Sequence, residues 1–318
     1  MTVKRKAILI AGPTASGKSG AAIGIAAATG GVIVNADSMQ VYRNLQVLTS
    51  RPTARDEARA PHRLYGYMDA CVACSTGMWL NDLVKVLSDI WAAGQTAILV
   101  GGTGLYFRSA LEGLAEVPEI PLEVRNKWRD RLAAQGAEAL HGVLSKLDST
   151  EAARFEPGDG QRIVRALEVL EATGKPLSWF HRKARHSAVL AGADVQKIVV
   201  RPARDVLYER INNRFDEMMN EGALEEARAL LALGLPEDLP AMKAIGVRAL
   251  GEYLGGRCSL DEATQTAKRE TRNYAKRQMT WVRGQMADWT MVDTARNAIA
   301  VVCDEAGKSY GPGQRLAP

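Results

Sequence analysis

Residues 12–19 read GPTASGKS, a complete match to the pattern GxxxxGK[ST], set between a short apolar run at residues 7–11 and an alanine-rich, helix-compatible stretch from Ser19 to Ala28. A buried strand, a glycine turn and a helix in that order leave few folds open. Such a turn aims its backbone N–H groups at a phosphate, and the helix N-terminus behind it adds partial positive charge. On this reading Gly12, Pro13, Thr14, Ala15, Ser16 and Gly17 form the cradle, Lys18 neutralises a terminal phosphate, and Ser19 holds Mg²⁺. The bland alternative is a glycine turn with no ligand, and the strand and helix on its two sides speak against it.

Two more apolar runs resemble the first: VIVNAD at 32–37 and AILVGGTG at 97–104. Continuous apolar runs of this length fit strands covered on both faces of a parallel sheet, and helix-compatible sequence separates them. The expected fold is therefore α/β, a phosphate-loop core with a parallel sheet flanked by helices. Ligands in such sheets bind beyond the carboxyl ends of the strands, so the segments after Ala11, Asn35 and Val100 should converge on one site.

From about Val117 the texture changes. Pro118 and Pro121 punctuate the chain, and residues 122–185 carry helical periodicity, dense charge and no strand-like run, which predicts an all-helical insertion domain. Strand character returns with KIVV at 197–200, and long amphipathic helices are expected from Arg204 to Leu233 and from Leu260 to Arg283. The division is thus 1–116 for the first part of the core, 117–190 for the insertion, and 191–318 for the return of the core with basic helices. The last stretch, GKSYGPGQRLAP, reads as a frayed tail.

A chain of 318 residues accommodates a core and a second lobe. Its net charge of +5 favours a polyanionic partner only mildly. Four cysteines are too few for a disulfide framework, and the pair Cys71 and Cys74 has no second ligand pair to make a zinc site, so all four are read as reduced thiols. The opening MTVKRKAILIAG has basic residues before apolar ones, but its apolar run stops at Gly12-Pro13, too early for a signal or a membrane span. A cytoplasmic location without membrane attachment is the expectation.

Phosphate loops most often serve kinases and nucleotide hydrolases, which also need a strand ending in a metal-binding acid. Here AILV ends in Gly101-Gly102-Thr103. The loop is therefore also suited to a diphosphate that departs as a leaving group. Asp37, two residues past its strand, has three roles open to it: turn or helix-cap residue, magnesium ligand, or general base. Thr103 offers a hydroxyl from a glycine-rich turn whose backbone can approach a ligand, or simply starts the next helix.

Taken together, GPTASGKS, ADSMQVYR, PHRLYGYMD, LVGGTGLYFRSALEGL, FEPGDGQRIVRALEVLEATGKPLS, RINNRFDEMMNEG and TRNYAKRQMTWVR resemble, in order, the blocks of the tRNA dimethylallyltransferase family, also called isopentenyl-diphosphate:tRNA transferases. They run from Gly12 to about Trp289. The resemblance implies transfer of a dimethylallyl group from dimethylallyl diphosphate to N6 of the adenosine 3′-adjacent to the anticodon, with the anticodon stem-loop of tRNA as partner. It further implies Asp37 as the base at the adenine amine, the phosphate loop with Lys18 and Ser19 as the diphosphate site, and Arg214 as the clamp on the leaving group. Thr103 falls on a position that contacts tRNA and serves the reaction. Other implied tRNA contacts are Arg125 and the stretches Asp37, Ser38, Met39 and Gln40, Gln161, Arg162 to Arg165, Lys243 to Arg248, and Lys276, Arg277 to Arg283. The sequence departs from the pattern at LTSRPT, 48–53, where the family carries glycine-threonine-alanine-lysine-proline. Val247 stands in place of a tyrosine, and CVACSTGMWL lacks a proline and a tyrosine-serine pair.

Near the carboxyl end, Arg269, Arg272, Lys276 and Arg283 recur at helical spacing as one basic stripe, with Tyr274, Arg277 and Trp281 on another face. Alone, such a helix reads as a solvated face anchored by aromatics; with the resemblance, the cations read as phosphate contacts and the aromatics as core packing. Gln161, Arg162 and Arg165 lie within one helical step, and their bland role is surface pairing with Glu168. Competing readings are an adenylate prenyltransferase that makes a cytokinin, a phosphate-loop kinase for a small molecule, and a non-catalytic RNA-binding protein. One copy of the chain carries every part named, so a monomer suffices.

Overall fold

The computed structural model describes residues 5–184 and 188–305. The expected carboxyl-terminal tail lies outside the described residues. Six strands form one sheet: β1 (Lys6–Ala11), β2 (Val32–Asn35), β3 (His62–Arg63), β4 (Ala97–Gly101), β5 (Asp194–Val200) and β6 (Thr290–Val292), in the order β3-β2-β4-β1-β5-β6. Every pairing is parallel, with Ile8 opposite Ile98 on one side and Gln196 on the other. All the strand carboxyl ends therefore face one way.

Alternation along the strands divides the core in two. Ile8, Ile10, Ile33, Ile98, Val100, Ile198 and Val200 share one apolar cluster with α1 (Lys18–Thr29) and α13 (Ala295–Glu305). Leu9, Val34, Leu99 and Val199 alternate to the other face and are fully buried too. Here α3 (Thr76–Ala92) is tied to strand ends by two indoles: Trp79 Nε1 donates to Asn35 O at 2.9 Å, and Trp91 Nε1 to Lys6 O at 3.0 Å. Trp79 also stacks on Tyr106 of α4 (Gly104–Glu112), with ring centroids 4.0 Å apart. A short α2 (Ala54–Glu57) with a capping box leads into β3.

The chain separates into two compact units, Met1–Arg108 with Gly192–Pro318, and Ser109–Ala191. The second unit contains α5 (Leu122–Leu147), α6 (Ser149–Ala152), α7 (Gly160–Thr173) and α8 (Leu177–Ala184), with no strand among its described residues. Trp128, Leu140 and Leu144 of α5 pack with Ile163, Val164 and Leu167 of α7, and Gly136 kinks α5 with φ 79. Trp128 Nε1 donates to Glu171 at 2.8 Å, so the one polar atom of that ring is satisfied.

In the first unit, the single helix expected over Arg204–Leu233 is two: α9 (Arg204–Asn220) and α10 (Ala223–Leu231). Gly222 adopts φ 101 between them, a left-handed conformation that ends one helix and starts the next at a new angle. After a 3₁₀ turn at Pro240–Lys243 come α11 (Val247–Leu254) and α12 (Leu260–Gln285). A capping box at Ser259 and Glu262 fixes the start of α12. No described helix is long and apolar enough to cross a membrane.

Candidate active site

Three strand ends build the floor of the site. After β1, Ala15 and Gly17 take φ of 61 and 91, the left-handed backbone from which anion-binding concavities are built. Lys18 Nζ folds back onto Pro13 O at 3.2 Å. Ser16 Oγ is buried with no hydrogen-bond partner among the described residues, so a hydroxyl in the cradle is left for a ligand oxygen. Ser19 is exposed and opens into a cavity of about 520 Å³ shared with Ser16, Gly17, Arg59, Tyr65 and Arg210.

After β2, the turn is set by fully buried Asn35. Its Oδ1 accepts from Asp37 N at 2.8 Å, while its Nδ2 donates to Asp37 O at 2.9 Å and Leu64 O at 3.0 Å. Asp37 Oδ1 accepts from Met39 N at 2.9 Å, so one carboxylate oxygen does serve the turn. The other, Oδ2, lies beside Gly102, 3.4 Å from where a Cβ would stand on that residue. Glycine is required after β4: a Cβ on Gly101 would lie 2.0 Å from Ala36 O, and one on Gly102 2.1 Å from Gln278 Nε2. Thr103 Oγ1 accepts from Ser38 N at 3.0 Å and donates to Ser38 Oγ at 3.3 Å, binding this turn to that of Asp37.

A cavity of about 230 Å³ stands over this floor. Thr14, Asp37 and Arg214 give it polar character, and Ala15, Leu48, Ile211, Phe215, Met218 and Ile245 give it hydrocarbon walls. Ile211, Phe215 and Met218 fall on one face of α9, at steps of four and three residues. Burial pushes the Lys18 ammonium down to about 8; Asp37 opposes that shift and Arg214 adds to it. Burial also lowers the Arg214 guanidinium, again against the pull of Asp37. Two desolvated cations thus face a single carboxylate and leave an excess of one positive charge, an arrangement that gains when an anion arrives. Burial raises the phenols of Tyr65 and Tyr274, and the charge of Asp37 raises them further.

Several residues of this site have roles that the sequence reading did not assign. Gln278 of α12 accepts from Thr14 N at 2.9 Å and donates to Gly102 O at 3.0 Å, bridging the phosphate loop and the β4 turn. The signal for an inward role is that it is a glutamine on the buried stripe of α12, among Ala263, Ala267, Ala275 and Val282. Glu226 of α10 accepts from the backbone N–H groups of Gln46, Val47 and Leu48 at 2.6, 2.8 and 2.9 Å. Gln40, expected against tRNA, donates its amide to Thr49 O and Ser50 O at 2.9 Å each. Together they fix the 46–50 segment as a wall of the cavity, and Ser50 takes φ 48 there.

The basic stripe of α12 is divided. Arg272 donates to Asn212 of α9 at 2.6 Å, because the two helices pack there, and is spent on that contact. Arg277 and Tyr274 line the Asp37 cavity with Lys243, the guanidinium 5.5 Å from the Tyr274 ring. Tyr274 thus belongs to the site rather than to the core. Lys276 and Arg283 instead line a groove of about 740 Å³ with Arg201, Arg204 and Arg210. Arg248 pairs with Glu270 at 2.8 Å. Trp281 is covered by Arg108 at 5.2 Å and abuts Gly104. Arg125, Gln161, Arg162 and Arg165 belong to the second unit, where Arg162 pairs with Asp159 at 3.3 Å and Arg165 with Glu168 at 3.4 Å.

Residues 40–285 match the family model described as IPP transferase. The chain is 52% identical over 284 residues to the tRNA dimethylallyltransferase of Chelativorans sp. (strain BNC1), covering 89% of this chain and 97% of that one. Among solved structures, the full-length tRNA isopentenylpyrophosphate transferase from Bacillus halodurans is 33% identical with a TM-score of 0.68, covering 96% of each chain. A eukaryotic dimethylallyltransferase acting on tRNA shares the fold at a TM-score of 0.81 and 24% identity, over 99% of this chain and 82% of that one. The phosphate loop lies upstream of the matched residues, so its placement beside Asp37 is a separate observation from the match. The chain belongs to the IPP transferase family.

Proposed function

We propose that the protein transfers a dimethylallyl group from dimethylallyl diphosphate to N6 of the adenosine 3′-adjacent to the anticodon of tRNA, releasing diphosphate. One observation carries the reading: a single cavity sets the Asp37 carboxylate, the Arg214 guanidinium and the phosphate-loop residues Thr14 and Ala15 beside hydrocarbon walls, with Lys18 near enough to feel the charges of Asp37 and Arg214. An allylic diphosphate is the kind of molecule with an anionic end and a hydrocarbon end to match. The names of the relatives supply the acceptor.

The amine of adenine is a weak nucleophile, because its lone pair is shared with the ring. Its attack on the allylic carbon breaks that carbon's bond to the diphosphate oxygen. Asp37 Oδ2, the oxygen not used by the turn, takes the proton released as the new C–N bond forms, an effect of about 10²–10⁴-fold in general acid–base catalysis. Lys18, Arg214 and the loop N–H groups meet the charge that collects on the departing diphosphate. The exposed Ser19 hydroxyl, together with the oxygens of the diphosphate and water, suits Mg²⁺, which keeps several waters and needs few protein ligands. When bound, that ion would neutralise further charge on the leaving group. Leu48, Ile211, Phe215 and Met218 exclude water from the allylic carbon.

A base in a single-stranded loop is cheap to unstack, which favours the anticodon loop as acceptor. Lys243 and Arg277 at the cavity, Lys276 and Arg283 on their groove, and Arg125, Gln161, Arg162 and Arg165 in the second unit are proposed as RNA contacts, with Ser38 and Met39 beside the flipped base. The protein would act in the cytoplasm as a monomer. Incubation with Mg²⁺ and labelled dimethylallyl diphosphate in the presence of tRNA, AMP or ATP tests the proposal. Label in tRNA is expected; label only in AMP, or ATP turnover without label transfer, contradicts it.

A further inference from the structure

Gln278 is buried, with 7% of its surface exposed, yet its family-matched stretch implies contact with RNA. Both ends of its amide are consumed inside the protein. Oε1 takes the N–H of Thr14, at the point where the phosphate loop enters the cavity, and Nε2 gives to the carbonyl of Gly102. Gly102 has room for this only because it lacks a Cβ, and Asp37 Oδ2 rests against the same spot. Tyr274, one turn earlier on α12, lines the same cavity as Thr14 and Asp37. The leaving-group cradle follows β1, and the Asp37 carboxylate leans on the turn after β4. Among the hydrogen bonds of the described residues, Gln278 is the side chain that joins these two loops directly.

We propose that Gln278 is a positioning residue that sets the separation between the diphosphate cradle and the Asp37 carboxylate. The inference rests on the prenyl-transfer reading of the site. Its physical content is that a bound donor and a base must be held in register for the amine to attack while its proton leaves. A displacement of about 1 Å in such an arrangement costs on the order of 10²-fold in rate. Only a group with an acceptor at one end and a donor at the other satisfies both Thr14 N–H and Gly102 C=O. Leucine satisfies neither, and an ionised carboxylate satisfies the first but opposes the second.

The test is single-turnover transfer from labelled dimethylallyl diphosphate to tRNA, with both substrates saturating, in native protein, Gln278→Leu and Gln278→Glu between pH 6 and pH 8.5. The Leu variant is expected to lose about 10–100-fold in the transfer step, with affinity for inorganic diphosphate kept within about threefold. In the Glu variant, the introduced carboxyl regains a donor when protonated. Burial raises its pKa, so the rate relative to native protein should climb as the pH falls through this range. A merely structural role would lower the melting temperature without that pH signature. An active native protein whose Leu variant keeps its single-turnover rate overturns the proposal alone, as does a Glu variant whose relative rate is flat with pH. A native protein that transfers no label overturns the functional reading and this inference with it.

Discussion

The floor of the cavity and its walls are made in different ways. The floor consists of three strand-end turns whose residues lie close together in sequence: 12–19, 35–40 and 101–104. Asn35 binds Asp37 two residues on, and Lys18 returns to Pro13 five residues back. The walls are held by partners far apart in sequence, as in Glu226 with Val47, 179 residues away, or Glu226 with Leu48, 178 away. Charge is thus concentrated by local geometry, while the shape of the space around it depends on long-range packing. Damage to the floor should remove chemistry and leave the fold; damage to the walls should disturb both.

The largest effect is expected at Asp37. Asp37→Ala should slow transfer by about 10³-fold in a single-turnover assay, with affinity for tRNA and donor nearly unchanged. Full activity would remove Asp37 from its role as base. Arg214→Ala follows, with about 10²-fold loss in the transfer step and weaker inhibition by inorganic diphosphate. Its stability should hold, since its burial is a cost that the folded state carries rather than a gain.

Glu226→Ala sharpens the contrast from the other side. It leaves three backbone N–H groups without their acceptor, so urea unfolding should show a loss of about 2–4 kcal/mol, with a raised KM for the donor as the 46–50 wall loosens. Stability within about 0.5 kcal/mol of native would show that the wall does not need its anchor.

A smaller effect is expected from pH. Lys18 titrates at about 8 in the free protein, and a bound diphosphate favours its charged form. Affinity for inorganic diphosphate is therefore full well below pH 8 and falls as the pH rises through 8, by about tenfold between pH 7 and pH 9, with proton uptake on binding in that range. Calorimetry in buffers of different ionisation enthalpy measures that uptake directly. The smallest effect belongs to the exposed cations. Lys276→Ala should weaken tRNA binding a few-fold and lower the salt dependence by about one unit of slope, without altering the transfer step.

The same contrast explains what was legible in the sequence. The phosphate loop, the strand runs and the Asp37 and Gly101–Thr103 turns were readable because glycine spacing and apolar runs act over a few residues. β3, two residues long, and β6, three, give no periodicity to read, and the helix break at Gly222 is one positive φ inside an otherwise continuous pattern. Arg272 and Arg277, five residues apart on one helix, have opposite fates because α9 covers one and the cavity opens beside the other. Gln278, Glu226 and the inward use of Gln40 depend on which distant backbone atoms the fold brings to them, and no local pattern encodes that.

A departing diphosphate, rather than a nucleotide awaiting hydrolysis, is the expected occupant of the cradle around Lys18. Titration calorimetry with Mg²⁺, comparing dimethylallyl diphosphate with ATP on native protein and on Lys18→Ala, tests it most directly. Saturable binding of the allylic donor in preference to ATP, lost in the Lys18 variant, is the expected result. Tight binding of ATP with no binding of the donor would contradict it.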